Sequence, residues 1–177
     1  MQILDIEAFI KVDPDFFSAT KYPAKTILLE EGKISNRMFL VKEGALREYF
    51  LHDGRELTLE FITENQAVAS FDSFLNATPS DFTIETLEAS TLYELDIHHF
   101  HELMKDPSFQ QTFTPLFQQR FSELAKRLMT FIKNSPEERY IQLLESKPEL
   151  LLRFPQHYIA SYLGITSVSL SRIRNRR

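Results

Sequence analysis

Between residues 22 and 96 the apolar positions fall in short runs separated by turn residues. Residues 26–29 lead into Glu30-Glu31-Gly32, residues 38–41 into Lys42-Glu43-Gly44, and residues 45–51 into His52-Asp53-Gly54. Further runs occupy 57–62, 67–71, 82–87 and 91–95. In Leu57-Thr58-Leu59-Glu60-Phe61 every second residue is apolar, the period of a strand with one buried face. Short runs recurring about every ten residues predict an antiparallel sandwich, barrel or roll. Gly32, Gly44 and Gly54 sit at the turns, where a positive φ is often required. His52-Asp53-Gly54 reads as the tip of a hairpin.

Beyond residue 97 the period becomes helical, and no glycine occurs between Gly54 and Gly164. A short helix from near His98 to Lys105 is expected to stop before Asp106-Pro107. Thr114 as N-cap and Pro115 at the first helical position predict a helix over 115–133, roughly 28 Å long. Phe117, Phe121, Leu124, Leu128 and Phe131 recur at steps of 4, 3, 4 and 3. That is the seam by which a helix packs along a partner helix. Leu116, Met129 and Ile132 widen the apolar face. One stripe of such a helix would meet a second copy of the chain and the other its own β segment. The alternative is that both stripes pack within one chain. Ser135 with Glu138 and an intervening Pro136 forms a capping box that opens another helix, through Leu144 and ending before Pro148.

Composition narrows the possibilities. The 177 residues suffice for one or two domains with a real core. The absence of Cys excludes disulfides, thiolate metal sites, Cys-ligated iron–sulfur clusters and a Cys nucleophile. No signal peptide and no apolar run of about 18 residues is visible, so a cytoplasmic chain without a membrane span is expected. The net charge of −5 argues against a nucleic-acid partner until it is mapped along the chain. Residues 1–107 carry −11, residues 108–150 carry +1, and residues 151–177 hold five Arg and no acid. The charge is segregated, which suggests separate tasks.

The basic end has the pattern of a helix-turn-helix. Counting Gln156 as the first position of a helix, Ile159, Ala160, Leu163, Ile165, Leu170 and Ile173 are apolar at places 4, 5, 8, 10, 15 and 18, with Gly164 at place 9. Two steeply crossing helices need a small residue where their backbones approach, here Ala160, and a glycine at the tight turn, here Gly164. Thr166 is a suitable N-cap for the second helix. The polar positions Ser167, Ser169, Ser171 and Arg172 then face outward as a reading surface. Small hydroxyls permit close entry to the major groove, and Arg172 has the reach for a guanine edge. Arg174, Arg176 and Arg177 are candidates for phosphate neutralisation, with Gln156 and Thr166 at the helix starts. The bland alternative is a helical hairpin with a solvated Arg-rich end.

The whole chain resembles the Crp/Fnr family of bacterial transcription regulators. The resemblance rests on Glu138-Arg139-Tyr140, on residues 155–166, on Leu170-Ser171-Arg172-Ile173-Arg174, and on the turn glycines Gly32 and Gly44. It implies an α+β chain: an N-terminal antiparallel β-roll of jelly-roll type, a long dimerisation helix and a C-terminal helix-turn-helix. The corresponding division is a cyclic-nucleotide-binding-like sensor over 1–107, the dimerisation helix over 108–134 and the DNA-binding part over 135–177. The implied partners are a palindromic double-stranded DNA operator and a second copy of the chain, with RNA polymerase as a candidate. The family's DNA-contacting arginine carries over to Arg172. Ser167 takes a base- or phosphate-facing place, where its short uncharged side chain changes the expected sequence preference.

Two departures qualify the resemblance. The family holds a cyclic phosphate with a Gly-Glu pair and an Arg-Ser or Arg-Thr pair; here Ala69-Ser70 and Ser80-Asp81 stand in those places. Residues 66–87 contain no Lys or Arg. An acid beside a buried phosphate repels it, and the bidentate arginine anchor is missing. Leu124 and Ala125 stand where the family can offer hydroxyls to the base. Cyclic AMP is therefore not the expected effector. Ala69, Ser70, Phe71, Ser80 and Asp81 remain a candidate pocket for an unknown ligand, and no cofactor is assigned. The second departure is length, which leaves no room for the β-hairpin wing common in the family, so DNA affinity should be low and salt dependent.

His98, His99 and His101 do not place three ligands on one helical face, so no metal site is expected. No phosphate-binding glycine loop or nucleophile motif is present, and no enzyme is predicted. The competing class is a ligand-binding or protein-interaction module of the same architecture that has lost DNA binding.

Overall fold

The computed structural model describes Ile10 and residues 17–176. It divides into two compact units. One comprises the chain up to Phe50 with Leu59–Gln118, the other Leu51–Thr58 with the chain from Gln119 onward.

Eight strands form a roll: β1 (Ser18–Tyr22), β2 (Ile27–Leu29), β3 (Arg37–Glu43), β4 (Leu46–His52), β5 (Arg55–Ile62), β6 (Ala67–Val68), β7 (Thr83–Thr86) and β8 (Ser90–Asp96); all of it lies in the first unit except the tip of the β4–β5 hairpin, Leu51–Thr58. They form two four-stranded sheets in the orders β1-β8-β3-β6 and β2-β7-β4-β5. The pairings β1–β8, β3–β8, β3–β6, β2–β7 and β4–β7 are antiparallel. This is the jelly-roll arrangement, with the chain passing repeatedly from one sheet to the other.

Strand β3 shows how the pattern becomes a core. Phe39 and Val41 join Leu29, Leu46, Ile62, Val68, Ile84 and Leu92 in one cluster. Met38 and Leu40 join Leu95, Phe74, Phe100 and Phe109 in another. Alternate side chains leave a strand on opposite faces, so β3 is buried on both. Helices α1 (Phe71–Asn76) and α2 (Ile97–Leu103) and the start of α3 (Pro107–Lys133) supply the aromatic residues of the second cluster. Phe100 makes edge contacts with Phe74 at 5.3 Å and Phe113 at 5.1 Å, and Phe109 stacks on Phe113 at 5.8 Å.

Three sequence expectations change here. The first strand lies at Ser18–Tyr22, before the first run counted as a strand. The run 67–71 is a two-residue strand followed by α1, which begins at Phe71. The long helix begins at Pro107, not at Pro115, which lies inside it. Its start is fixed by Asp106, whose carboxylate accepts from the Ser108 N–H at 2.7 Å and the Ser108 hydroxyl at 2.8 Å. An interior proline removes one helical hydrogen bond. Burial of Phe109 and Phe113 against the roll offsets that loss, because it requires helix from residue 107 onward.

The turn glycines have the left-handed backbone expected of them: φ is +82° at Gly32, +99° at Gly44 and +71° at Gly54. Asp53 also has a positive φ, +50°, so the β4–β5 hairpin closes with two successive left-handed residues, as a type I′ turn demands.

The second unit contains the rest of α3, α4 (Pro136–Ser146), α5 (Pro148–Arg153), α6 (Gln156–Tyr162) and α7 (Ser167–Asn175). The capping box at Ser135 is formed in both directions, with Ser135 N–H donating to Glu138 at 2.7 Å and Glu138 N–H donating to Ser135 Oγ at 3.3 Å. No described helix is long and apolar enough to cross a membrane.

Candidate nucleic-acid interface

Helices α6 and α7 are joined through Leu163-Gly164-Ile165-Thr166. Gly164 has φ +68°, and the Ile165 N–H donates to Ala160 O at 2.9 Å across the turn. Ile159, Ala160, Leu163, Leu170 and Ile173 are buried and form the small core between the two helices. Thr166 is extended and its hydroxyl accepts from the Ser169 N–H at 3.2 Å, which starts α7.

At about 100° per residue, Leu170 and Ile173 define the inner side of α7. Ser167, Ser171, Asn175, Val168 and Arg172 then span an arc of about 140° on the opposite side, and all five are exposed. Of the anticipated reading residues, Ser167, Ser171 and Arg172 lie on this arc. Ser169 does not; it is half-buried, its hydroxyl 3.0 Å from that of Thr166. Arg174 and Arg176 flank the arc and are exposed, as are Gln156 and Thr166. Arg177 lies outside the described residues. Val168, 60 % exposed, and Asn175 were missed in the sequence. The helical phase i, i+1, i+4, i+5, i+8 from Ser167 was the signal that identifies them. A serine surface with a central valine suits close contact with a thymine methyl, beside the guanine reach of Arg172.

Side chains of the second unit fix this pair of helices in place. The Arg127 guanidinium lies 3.8 Å from the centre of the Tyr162 ring and donates to Tyr162 O at 3.1 Å. Arg139 donates to Leu163 O at 3.1 Å and Asn134 O at 2.8 Å, and lies over the Phe131 ring at 4.7 Å. Burial lowers the pKa of its guanidinium below the ordinary value. The tip of the β4–β5 hairpin reaches α6: the Ser161 hydroxyl accepts from the Thr58 N–H at 2.8 Å and donates to Glu56 O at 2.9 Å. None of Arg127, Arg139 or Ser161 was singled out for this role in the sequence, because the bonds that tie α6 and its turn to the rest of the unit cross more than twenty residues of chain.

The seam residues of α3 separate into two groups. Phe121, Leu124 and Leu128 are exposed at 68, 49 and 62 %, and Ile132 continues their stripe at 69 %. Phe117 packs edge-on against Phe71 at 5.2 Å, and Phe131 lies against the Gly164 turn. Both ends of the predicted seam thus also serve contacts within the chain.

In the candidate pocket, Ser70 and Ser80 are brought together. Both are buried, with hydroxyls 2.9 Å apart. The Ser80 hydroxyl has both Ser70 Oγ and Phe82 O, the latter at 2.7 Å, as acceptors for its single proton. Ala69 is buried beside them, Phe71 is half-buried, and Asp81 is exposed. The two segments that the resemblance aligns with the family's phosphate-holding pairs thus bond to each other.

Two of the three histidines of α2, His98 and His99, serve its start, and His101 lies in its last turn. Asp96 accepts from the His98 and His99 N–H groups at 2.9 and 3.0 Å and pairs with the His99 ring. Desolvation raises its carboxyl, but these partners outweigh it and hold the pKa below the usual range. Among the described residues no group of three or more His, Asp or Glu has the arrangement of a metal site.

Residues 19–106 match the family model of the cyclic nucleotide-binding domain. No curated protein matches the chain. Among solved structures, a mutant of CooA from Carboxydothermus hydrogenoformans superposes with a TM-score of 0.78 at 19 % identity, covering 99 % of this chain and 84 % of that one. The c-di-GMP-responsive global regulator CLP of Xanthomonas campestris gives 0.75 at 16 % identity, over 97 and 89 % of the two chains. A transcriptional regulator of the Crp/Fnr family from Thermus thermophilus gives 0.70 at 16 % identity, over 90 and 84 %. At these identities the likeness establishes a shared fold: an α+β chain with an antiparallel roll, a long helix and further helices.

Proposed function

We propose that the chain is a transcriptional regulator of the Crp/Fnr type, which binds a palindromic DNA site as a homodimer and does not answer to cyclic AMP. In this reading residues 1–107 are a sensor, 108–134 a dimerisation helix and 135–177 the DNA-binding part, with α6 and α7 as its helix-turn-helix. The observation that carries it is the exposed arc of α7. Its polar side chains lie opposite a buried apolar face, at the end of a segment with five Arg and no acid. An acidic roll and a basic end favour approach to DNA by that end.

A lone helix-turn-helix binds weakly, and two related by a two-fold axis read half-sites roughly 34 Å apart. The exposed Phe121–Leu124–Leu128–Ile132 stripe is the surface available for such pairing. Phe117 and Phe131, 41 and 37 % exposed, remain open to the same surface beside their contacts within the chain. The Ser70–Ser80 hydrogen bond, with no Lys or Arg in residues 66–87, favours a roll that does not grip a cyclic phosphate. A micromolar dissociation constant for cyclic AMP by calorimetry would contradict that part.

The test is selection of DNA from a random pool by the full chain, followed by anisotropy titration of the enriched site. Arg172→Ala should weaken the selected site by about 1–3 kcal/mol while leaving non-specific DNA little changed. Failure to enrich any sequence at low salt would favour an interaction module that has lost DNA binding.

A further inference from the structure

We infer a small-molecule site at the β1–β2 side of the roll, shaped for a free amino acid with an apolar side chain. A cavity of about 360 Å³ opens there, lined by Tyr22, residues 27–30, residues 33–37 and Phe39. That is within the size range of small-ligand pockets. None of Ala69, Ser70, Phe71, Ser80 or Asp81 lines it, so it is separate from the place where the family holds its nucleotide phosphate.

Its lining has two characters. Leu28, Leu29 and Phe39 belong to or pack on the sandwich core and give an apolar floor. Ile27 and Ile34 are 54 and 57 % exposed at the same cavity, an amount of bare apolar surface that an apolar guest would cover. Around this floor stand Glu30, Lys33, Asn36 and Arg37. Arg37 donates to Glu94 at 2.6 Å and Glu94 accepts from the Tyr22 hydroxyl at 2.7 Å, so that arginine is already neutralised. The remaining charges are one carboxylate, Glu30, and one ammonium, Lys33. One charge of each sign over an apolar floor complements a zwitterion whose ammonium meets Glu30, whose carboxylate meets Lys33, and whose side chain fills the cavity.

The wall bearing Lys33 and Asn36 is held in place before any ligand arrives. Gly32 N–H donates to Ser80 O at 2.7 Å, Ser80 N–H donates to Lys33 O at 2.8 Å, and Ser35 N–H donates to Ser73 Oγ at 2.7 Å. Ile34 bridges to Pro79 as an isolated antiparallel pair. A preformed wall spares the ligand the entropy of ordering it.

The experiment titrates the full chain with L-phenylalanine, N-acetyl-L-phenylalanine and L-phenylalaninamide, followed by amide chemical shifts. L-phenylalanine should produce saturable shifts at Ile27, Ile34 and Asn36. The acetylated and amidated forms, each lacking one charge, should bind at least about tenfold more weakly. Lys33→Ala should reduce the preference for phenylalanine over its amide, and Glu30→Ala the preference over its acetyl derivative. Both residues are exposed, so the variants are expected to fold. Equal binding of the three compounds, shifts confined to Ser70 and Ser80, or no saturable shift at millimolar concentration would each overturn the assignment. The readout is independent of DNA, so its failure leaves the regulator reading standing.

Discussion

Replacing Gly164 by alanine tests whether the α6–α7 turn is packed as described. Gly164 has φ +68°, a conformation that costs an L-residue about 1–2 kcal/mol. A Cβ built there would lie 2.8 Å from Phe131 Cε1, closer than such contacts occur. Arg127 and Arg139 lie over this ring at 5.5 and 4.7 Å, so a ring that turns aside gives up those cation–π contacts. Gly54, in the same unit, is the internal control, with φ +71° and open space where its Cβ would go. Alanine there bears the backbone strain alone, partly compensated by about 0.4–1 kcal/mol of lost unfolded-state entropy, for a net cost of about 1 kcal/mol. Gly164→Ala adds a packing clash of about 1–3 kcal/mol, for a net cost of about 2–4 kcal/mol. Native-state hydrogen exchange of the Leu163 and Ile165 amides, which donate to Ile159 O and Ala160 O, reads the loss at the turn itself. In a Phe131→Leu background the extra cost should shrink toward that of Gly54→Ala. Equal costs for the two alanine variants in the otherwise unaltered chain would refute the packing of Phe131 on the turn.

Arg174→Ala should weaken binding to all DNA sequences alike and lower the slope of log affinity against log salt by about one, measured by anisotropy between low and moderate salt. Phe121→Glu places a charge on the exposed stripe of both copies and should convert a dimer to a monomer in analytical ultracentrifugation at micromolar concentration. An unchanged sedimentation coefficient would place the pairing surface elsewhere. Burial, and next the hydrogen bond to Glu94, push the Tyr22 phenol up from 10.0 to about 12. The folded chain therefore keeps a proton that the unfolded chain has lost. Tyr22's contribution to stability should be complete below about pH 10 and fade as pH rises through about 12. Tyr22→Phe should remove one late-ionising tyrosine from the ultraviolet titration, together with that alkaline loss.

Much of the candidate site was legible before any coordinates. Ala160, Gly164, Thr166 and the apolar places around them are local requirements of two helices and a tight turn, and local requirements leave residue types at fixed spacings. The phase of α7 was legible too, though Val168 and Asn175 went unread on it. The lack of Lys and Arg in residues 66–87 was equally legible. That Ser70 and Ser80 would find each other was not visible, because it depends on two loops meeting across ten residues of intervening chain.

Sequence by itself determined the elements with local causes: period-two strands, left-handed turns at Gly32, Gly44 and Gly54, and the capping box at Ser135. Tertiary structure decided where a local signal met a stronger distant one. Pro115 reads as a helix start, yet the helix begins at Pro107, since Phe109 and Phe113 gain more from the aromatic cluster than one lost hydrogen bond costs. Phe71 reads as the end of a strand, yet it starts α1 and packs on Phe117. Along α3, equivalent spacing does not tell that Phe131, 37 % exposed, also meets Gly164, while Phe121 is 68 % exposed. Burial depends on what lies opposite a residue in space, and the periodicity of one chain segment carries no record of it.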